Sequence, residues 1–209
     1  DVGGLTPGSM PPFSQTIDQE GWLVRNHWLI RAGELCHASW VACLQEAAIP
    51  PRDLALLWAD LQAQSAANHL GVDLLQELLQ IEGEARLLCY LQHVQDHAAA
   101  TVRRLLDGIQ DRAFQVELDN GACLTLAVRM DREQRSATLD FSGTSAQGCH
   151  NFHAPLAVTK AAVLYVLRCL VDEPIPLNAG CFLPLTLLVP EGSLPVSYTH
   201  LRAHETSLH

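Results

Sequence analysis

The side chains best suited to chemistry lie in one stretch between Asp140 and Pro155. It contains a carboxylate, several hydroxyls, two amides and two imidazoles, which can exchange hydrogen bonds or protons near neutral pH. An alternating apolar segment precedes the stretch and an almost wholly apolar one follows it, so it joins a strand end to a helix start. Because backbone N–H groups and short side chains converge at such junctions, this is a natural place for an active site.

A second polar group, Asp60, Gln64 and Asn68, occurs at steps of four residues within a helical pattern. It lies beside the apolar stripe of that helix and not opposite to it. Periodicity alone favours a solvated flank, although a helix that borders a buried cavity would show the same pattern.

The histidines leave further alternatives open. His93 and His97 are one helical turn apart, a spacing that can hold a metal, but without the Glu of a His-Glu-x-x-His motif a solvated pair is favoured. His153 is either a base or substrate contact, or a loop histidine bonded to the backbone.

Composition narrows the class of protein. With 48% hydrophobic and 17% charged residues, the 209-residue chain is expected to bury a core. A formal charge of −10 without a basic cluster argues against nucleic-acid binding, and no apolar run is long enough for a membrane span. Seven scattered cysteines suit reduced, mostly buried thiols in a cytoplasmic protein.

The elements that must position these residues follow from periodicity and turn signals. We predict an α+β fold: a long helical hairpin (Asp53 to about Gln80, then Glu84 to Asp107), an antiparallel β-meander, and a buried helix that begins at Pro155. Residues Phe182 to Val189 are expected to be extended, and the whole is expected to be part of a larger domain. The glycines and prolines of the first twelve residues favour a linker over a structured loop.

Five motifs occur in a characteristic order: Asp1-Val-Gly-Gly-Leu-Thr-Pro-Gly-Ser-Met-Pro, Asp60-Leu-x-Ala-Gln64 with Asn68, Asp140-Phe-Ser-Gly-Thr144, Asn151-Phe-His-Ala-Pro155 and Ile175-Pro-Leu-Asn-x-Gly-Cys181. Through them the chain resembles the hydantoinase B/oxoprolinase family from Asp1 to about Leu194. The resemblance implies an ATP-dependent hydrolase of cyclic amides of the hydantoin or 5-oxoproline type.

The resemblance also implies cofactors and a partner. A hydantoinase A-like subunit or fused domain would handle ATP, and the B half would carry a divalent metal ion and take the small cyclic-amide substrate. Asp1 would lie next to the metal site, whose main ligands would precede this chain. We therefore expect residues 1–194 to be an internal, inactive fragment of such a domain, and residues 195–209 to be a non-native or disordered tail.

The resemblance assigns roles to the polar residues. It makes Asp140, Asn151 and His153 candidate catalytic residues, and the candidate substrate-binding residues are Asp60, Gln64, Asn68, Ser142, Gly143, Thr144 and Gln147. Two alternatives stay open: a subunit of an ATP-dependent ketone carboxylase of the same family, and a non-catalytic module whose long helices dock a partner.

Overall fold

The computed structural model describes residues 3–6, 14, 16–148 and 153–195. The chain divides into two compact units, one reaching Glu77 and the other beginning at Leu78. Helices and a largely antiparallel sheet are both present, so the predicted α+β class is confirmed.

The first unit contains α1 (Ile17–Glu20), β1 (Ile30–Arg31), β2 (Glu34–Leu35), α2 (His37–Gln45) and most of α3 (Leu54–Glu82). Its buried side chains include Trp40 and Leu44 of α2. The Trp40 indole N–H donates to the Trp28 carbonyl at 2.9 Å, and the ring meets the His27 ring edge-on. This buried indole therefore has the hydrogen-bond partner that it needs.

Gly3 and Gly4 form a packed loop, so the linker interpretation is wrong for residues 3–6. Both have left-handed φ angles, +86° and +90°. A Cβ on Gly3 would lie 2.1 Å from the Ile49 carbonyl oxygen, which also accepts the N–H of Gly4. Only glycine fits this close approach of two backbones.

The two predicted long helices are confirmed as α3 and α4 (Glu84–Leu106), with Gly83 between them at φ +76°. The Gly83 N–H closes the last turn of α3 on Leu79, and its carbonyl accepts from Leu87 in the first turn of α4. Their antiparallel arrangement stays a prediction, because α3 lies mostly in the first unit and α4 in the second.

The predicted buried face of α3 is present only in its first half. Leu54, Leu57, Trp58 and Leu61 are half-buried, and the Trp58 ring contacts that of His37 with centroids 4.5 Å apart. Further along, Leu74 is 51% exposed and Leu78 is 44% exposed. Periodicity identified the apolar stripe but not the length over which it is covered.

The second unit is built on a sheet of β3 (Arg112–Glu117), β4 (Cys123–Asp131), β5 (Ser136–Asp140) and β6 (Leu185–Leu188), in that order. The first three strands form the predicted antiparallel meander. The strand predicted from Phe182 to Val189 is present as the shorter β6, since Phe182 belongs to a 3₁₀ helix. Strand β6 pairs parallel to β5, with Asp140 opposite Leu188. The connection between β5 and β6 carries α5 (Leu156–Leu170) and a 3₁₀ helix (Ala179–Phe182).

The core of the second unit lies between α4, α5 and the sheet. It contains Ala98, Val102, Leu106, Ala137, Leu167, Ile175 and Cys181. Helix α5 contributes one stripe, with Thr159 and Leu167 buried and Val163 and Leu164 partly buried, while Tyr165 stays 69% exposed. The expectation that α5 is buried on most sides is therefore wrong for this chain, since the second unit covers only residues about four apart.

Asn178 and Gly180 pack the 3₁₀ helix against α4. The Asn178 Oδ1 accepts the Gly180 N–H at 2.7 Å, and its Nδ2 donates to the Val94 carbonyl of α4 at 3.4 Å. A Cβ on Gly180 would lie 2.1 Å from the Gln95 carbonyl oxygen, so the 3₁₀ helix touches the backbone of α4.

Six cysteines in the described ranges are free thiols, of which only Cys181 is buried, so the expectation of mostly buried thiols is wrong. Among the described residues, no helix combines the length and apolarity needed to cross a membrane.

Candidate functional site

Asp140 ends β5 and is 8% exposed. One carboxylate oxygen accepts the Ser142 N–H at 2.9 Å, and the Arg129 guanidinium lies 3.6 Å from the other. The Ser142 hydroxyl is the main cause of a lowered Asp140 pKa, followed by the Ser142 N–H, with a smaller contribution from Arg129. A carboxylate held in this way stays ionised at neutral pH and is a weak proton acceptor.

The loop after Asp140 is bonded to β4 where β5 ends. The Thr144 hydroxyl accepts the Thr125 N–H and donates to the Thr125 carbonyl, both at 3.0 Å. Ser145 repeats this exchange with Cys123: its hydroxyl accepts the Cys123 N–H and its own N–H donates to the Cys123 carbonyl, both at 2.8 Å. The two residues thereby continue the hydrogen bonding of the sheet beyond β5.

Gly143 allows the loop to turn towards β4. Its φ is +96°, and its carbonyl accepts the Thr125 hydroxyl at 3.3 Å. The space around its missing Cβ is ordinary, so the need for glycine is conformational.

Residues 190–195 hold the other side of the loop and the start of α5. The Gly192 carbonyl accepts the Gln147 N–H at 2.7 Å, and the Leu194 N–H donates to the Ser145 carbonyl at 3.0 Å. The Leu194 carbonyl accepts from Ala154, and the Thr159 hydroxyl donates to Pro195 at 2.6 Å. This segment therefore ties the polar loop to α5. Pro195 takes part, while residues 196–209 lie outside the described part, so the expected tail stays a prediction.

His153 is bonded to the backbone of the same loop. The Gly148 N–H donates to its Nε2 at 3.0 Å. Since a backbone N–H can only donate, Nε2 is the acceptor here and the neutral ring carries its proton on Nδ1. This geometry favours the interpretation of His153 as a loop histidine over that of a base acting through Nε2.

The remaining candidate residues belong to the other unit or lie outside the described residues. Asp60, Gln64 and Asn68 are exposed on α3, in the first unit, while Asp140 to Gln147 lie in the second. Asp1 and Asn151 lie outside the described residues, so their roles stay predictions.

The implied divalent metal has no ligand set in the described part. Residues 3–6, 14, 16–148 and 153–195 contain no group of three or more His, Cys, Asp or Glu side chains that fits a metal ion. His93 instead faces the Cys89 sulfur, with 3.2 Å between that atom and Nε2. The described residues therefore do not form the implied metal site.

Arg129 and Thr125 contact the loop but were not singled out from the sequence. Both lie on β4, four residues apart, and therefore on the same face of the strand. The alternation along the strand therefore predicts that these two residues share a face. Only the pairing of β4 with β5 shows that Arg129 lies near Asp140.

Most of the chain is similar in sequence to known proteins. The sequence model described as Hydantoinase B/oxoprolinase matches residues 1–199. The chain is 36% identical to 5-oxoprolinase 1 of Arabidopsis thaliana over 92% of its own length, and 35% identical to 5-oxoprolinase of Dictyostelium discoideum over 93%. It spans only 17% and 16% of those proteins.

Two solved structures share the fold. The ATP-dependent caprolactamase from Pseudomonas jessenii has a TM-score of 0.74 at 22% identity and is matched over 94% of this chain and 34% of its own. An acetone carboxylase in its nucleotide-free structure has a TM-score of 0.75 at 15% identity, with coverages of 94% and 28%.

Proposed function

Because the chain belongs to the hydantoinase B/oxoprolinase family, we propose that it is part of the B-type half of an ATP-dependent hydrolase of cyclic amides. The ring substrate is of the 5-oxoproline or hydantoin type. The identity of about one third with proteins named 5-oxoprolinase, over more than nine tenths of the chain, carries this proposal.

The chemistry explains the need for ATP. An unstrained amide carbonyl is a poor electrophile, and transfer of the terminal phosphoryl group of ATP to its oxygen makes the ring carbon electrophilic. Water then adds to that carbon, the C–N bond breaks with proton transfer to nitrogen, and a second water hydrolyses the resulting acyl phosphate. A hydantoinase A-like subunit or fused domain handles ATP in this scheme, and the intact protein is cytoplasmic.

Within this chain, the loop from Asp140 to Gln147 forms one wall of the substrate site. This proposal is supported by the exposure of Ser142 at the tip of the loop and by the hydrogen bonds of Asp140, Thr144 and Ser145, which hold the loop to the sheet. Asn151 and His153 are proposed to be catalytic residues of the intact protein, and Asp60, Gln64 and Asn68 of α3 are proposed to be substrate-binding residues. A divalent ion is proposed to be held by residues outside the described part.

The test is ATP hydrolysis by the full-length protein together with its nucleotide-handling half. We expect ATP turnover to require 5-oxoproline or a hydantoin and to yield the ring-opened acid. Bicarbonate should have no effect, and ATP turnover that requires both bicarbonate and a ketone would establish the carboxylase alternative instead.

Two substitutions separate catalysis from docking. Asp140→Ala and Asn151→Ala are expected to lower ring-dependent ATP turnover by at least tenfold, with the assembly of the two halves intact by gel filtration. The interaction-module alternative predicts the reverse: normal turnover per assembled complex and weakened assembly.

A further inference from the structure

A cleft of about 520 Å³ lies in the first unit, between the β1–β2 hairpin and one face of α3. The hairpin contributes Ile30 and Leu35, which are paired across the two strands and therefore project from the same face. The helix contributes residues at steps of three and four, the spacing of a single helix face: Gln62, Ser65, Ala66, His69, Leu70 and Asp73. The cleft therefore has an apolar side on the hairpin and a largely polar side on the helix.

The ring of His69 is oriented by the backbone of its own helix. Its Nδ1 lies 2.9 Å from the Ser65 carbonyl oxygen, one turn earlier. A carbonyl oxygen can only accept a hydrogen bond, so Nδ1 carries the proton and, in the neutral ring, Nε2 keeps its lone pair. None of the residues that the structure describes forms a hydrogen bond with this Nε2. His69 is therefore an oriented acceptor on the wall of the cleft.

Asp73 adds a negative charge to the same cleft. It follows His69 by four residues on α3, so the two side chains are neighbours on the helix surface. Within the described part of the chain, Asp73 has no ion-pair partner, and neither Lys nor Arg is among the residues that line the cleft. The residues of the cleft therefore leave this charge uncompensated.

These groups determine which ligand chemistry fits the cleft. The His69 Nε2 and the Asp73 carboxylate are both acceptors, and a primary ammonium group offers three N–H donors together with a compensating charge. Ile30 and Leu35 provide apolar surface for the hydrocarbon part of such a molecule. An anionic ligand would be repelled by Asp73, and a wholly apolar ligand would leave both acceptors unpaired.

We propose that this cleft binds a small molecule that carries a primary ammonium group on an apolar body, and that His69 and Asp73 hold the ammonium group. The size of the cleft suits this class, since small-molecule pockets typically span about 300–1,000 Å³. The inference concerns a ligand site on α3 and the hairpin, and it does not rest on the cyclic-amide chemistry proposed above.

The experiment measures the Kd of three ligands that share one apolar body: 4-phenylbutylamine, 4-phenylbutanol and 4-phenylbutyrate. Saturation-transfer NMR titrations are run on the full-length protein above neutral pH, where the imidazole is uncharged. The amine is expected to bind about tenfold more tightly than the alcohol, because its hydrogen bonds are charge-assisted, and the carboxylate is expected to bind most weakly. Equal Kd values for the three ligands, or no binding of the amine, would overturn the inference.

Two substitutions test the assigned groups. Asp73→Asn removes the charge at nearly constant shape and should abolish the preference for the amine over the alcohol. His69→Phe keeps an aromatic ring but removes Nε2, and it should weaken binding of the amine by about fivefold. His69→Gln offers an amide oxygen as an alternative acceptor and should weaken binding less than His69→Phe does.

Glu77→Gln is the matched control, because Glu77 lies one turn beyond Asp73 on α3 but does not line the cleft. It removes the same charge and should leave the Kd of the amine unchanged. If Glu77→Gln weakens binding as much as Asp73→Asn does, the amine responds to the overall negative charge of the protein and the site is wrong. The site is equally wrong if neither Asp73→Asn nor His69→Phe changes the Kd of the amine.

Discussion

Thr144 uses both hydrogen-bonding functions of its hydroxyl on a single residue of the neighbouring strand, Thr125. A group occupied in this way contributes to a site by fixing the backbone beside it. The family resemblance made Thr144 a candidate substrate-binding residue, but a Ser-Gly-Thr turn has the same sequence whether its hydroxyls contact a ligand or a neighbouring strand. The structure favours the positioning role.

Thr144→Val removes both bonds while keeping the shape of the side chain. It leaves the Thr125 N–H and carbonyl without these partners, so we expect a local loss of about 1–3 kcal/mol. Hydrogen exchange of the peptide around Thr125 in the full-length protein should accelerate by about tenfold or more. Thr144→Ser retains the hydroxyl and should exchange like the wild type; protection unchanged in the valine variant would contradict the assignment.

Asp140 gives a pH-dependent prediction. Its pKa is lowered in the folded chain, chiefly by the Ser142 hydroxyl and N–H. Its ionised form therefore adds stability above the unfolded pKa, near 3.8, and that contribution is lost as the pH falls through the lower folded pKa.

The measurement is the unfolding temperature of the full-length protein and its Asp140→Asn variant across the acidic range. The variant should have the lower unfolding temperature at neutral pH. The difference in unfolding temperature between the wild type and the variant should shrink as the pH falls below about 3.8. Ser142→Ala removes the largest cause of the lowered Asp140 pKa. Its unfolding temperature should differ less from that of the wild type, and this difference should disappear over the same acidic pH range. A gap independent of pH would show that the carboxylate charge is not responsible.

Among the secondary-structure elements, the helices and the meander were predictable from the sequence because each has its own period. The helical spacing of Leu87, Leu91 and Val94 on α4 and the alternation along β4 are visible in the sequence. They can be recognised without knowing which distant residues pack against them. The parallel pairing of β6 with β5 was not predictable, since it depends on how α5 packs. The exposed faces of α5 and the end of α3 were missed for the same reason: periodicity identifies an apolar face but not its partner.

The 3₁₀ helix beside α4 shows how a motif glycine acts through packing. Gly180→Ala would place its Cβ 2.1 Å from the Gln95 carbonyl oxygen, closer than any real contact. We expect a loss of about 2–4 kcal/mol, because both backbones would have to separate.

Gly71→Ala is the matched control for Gly180→Ala. Gly71 lies inside α3 with open space around its missing Cβ, so alanine should stabilise the helix by about 0.5–1 kcal/mol. Thermal unfolding of the full-length variants should therefore move in opposite directions. Similar shifts for both would show that the contact with Gln95 does not decide the stability of this element.

At the scale of the whole molecule, α3 and α5 expose many large apolar side chains. Leu70, Leu74, Leu75, Leu78 and Ile81 on α3 are all at least 44% exposed, as are Tyr165, Val166 and Leu170 on α5. Folded monomers rarely leave large contiguous apolar patches uncovered. The chain spans 17% of the Arabidopsis relative, so the full-length proteins have a great deal of further chain available to cover such faces.

We therefore expect the 209-residue chain, expressed alone, to bind the dye ANS strongly and to self-associate as its concentration rises. Replacing Leu74, Leu75 and Leu78 by glutamine should reduce both effects without loss of helix, since these side chains are exposed and glutamine is a good helix former. Sedimentation velocity and ANS fluorescence measure the two effects, with the full-length protein as the reference. A monomeric chain with no more ANS binding per mole than the full-length protein would mean that these faces are covered within the chain itself.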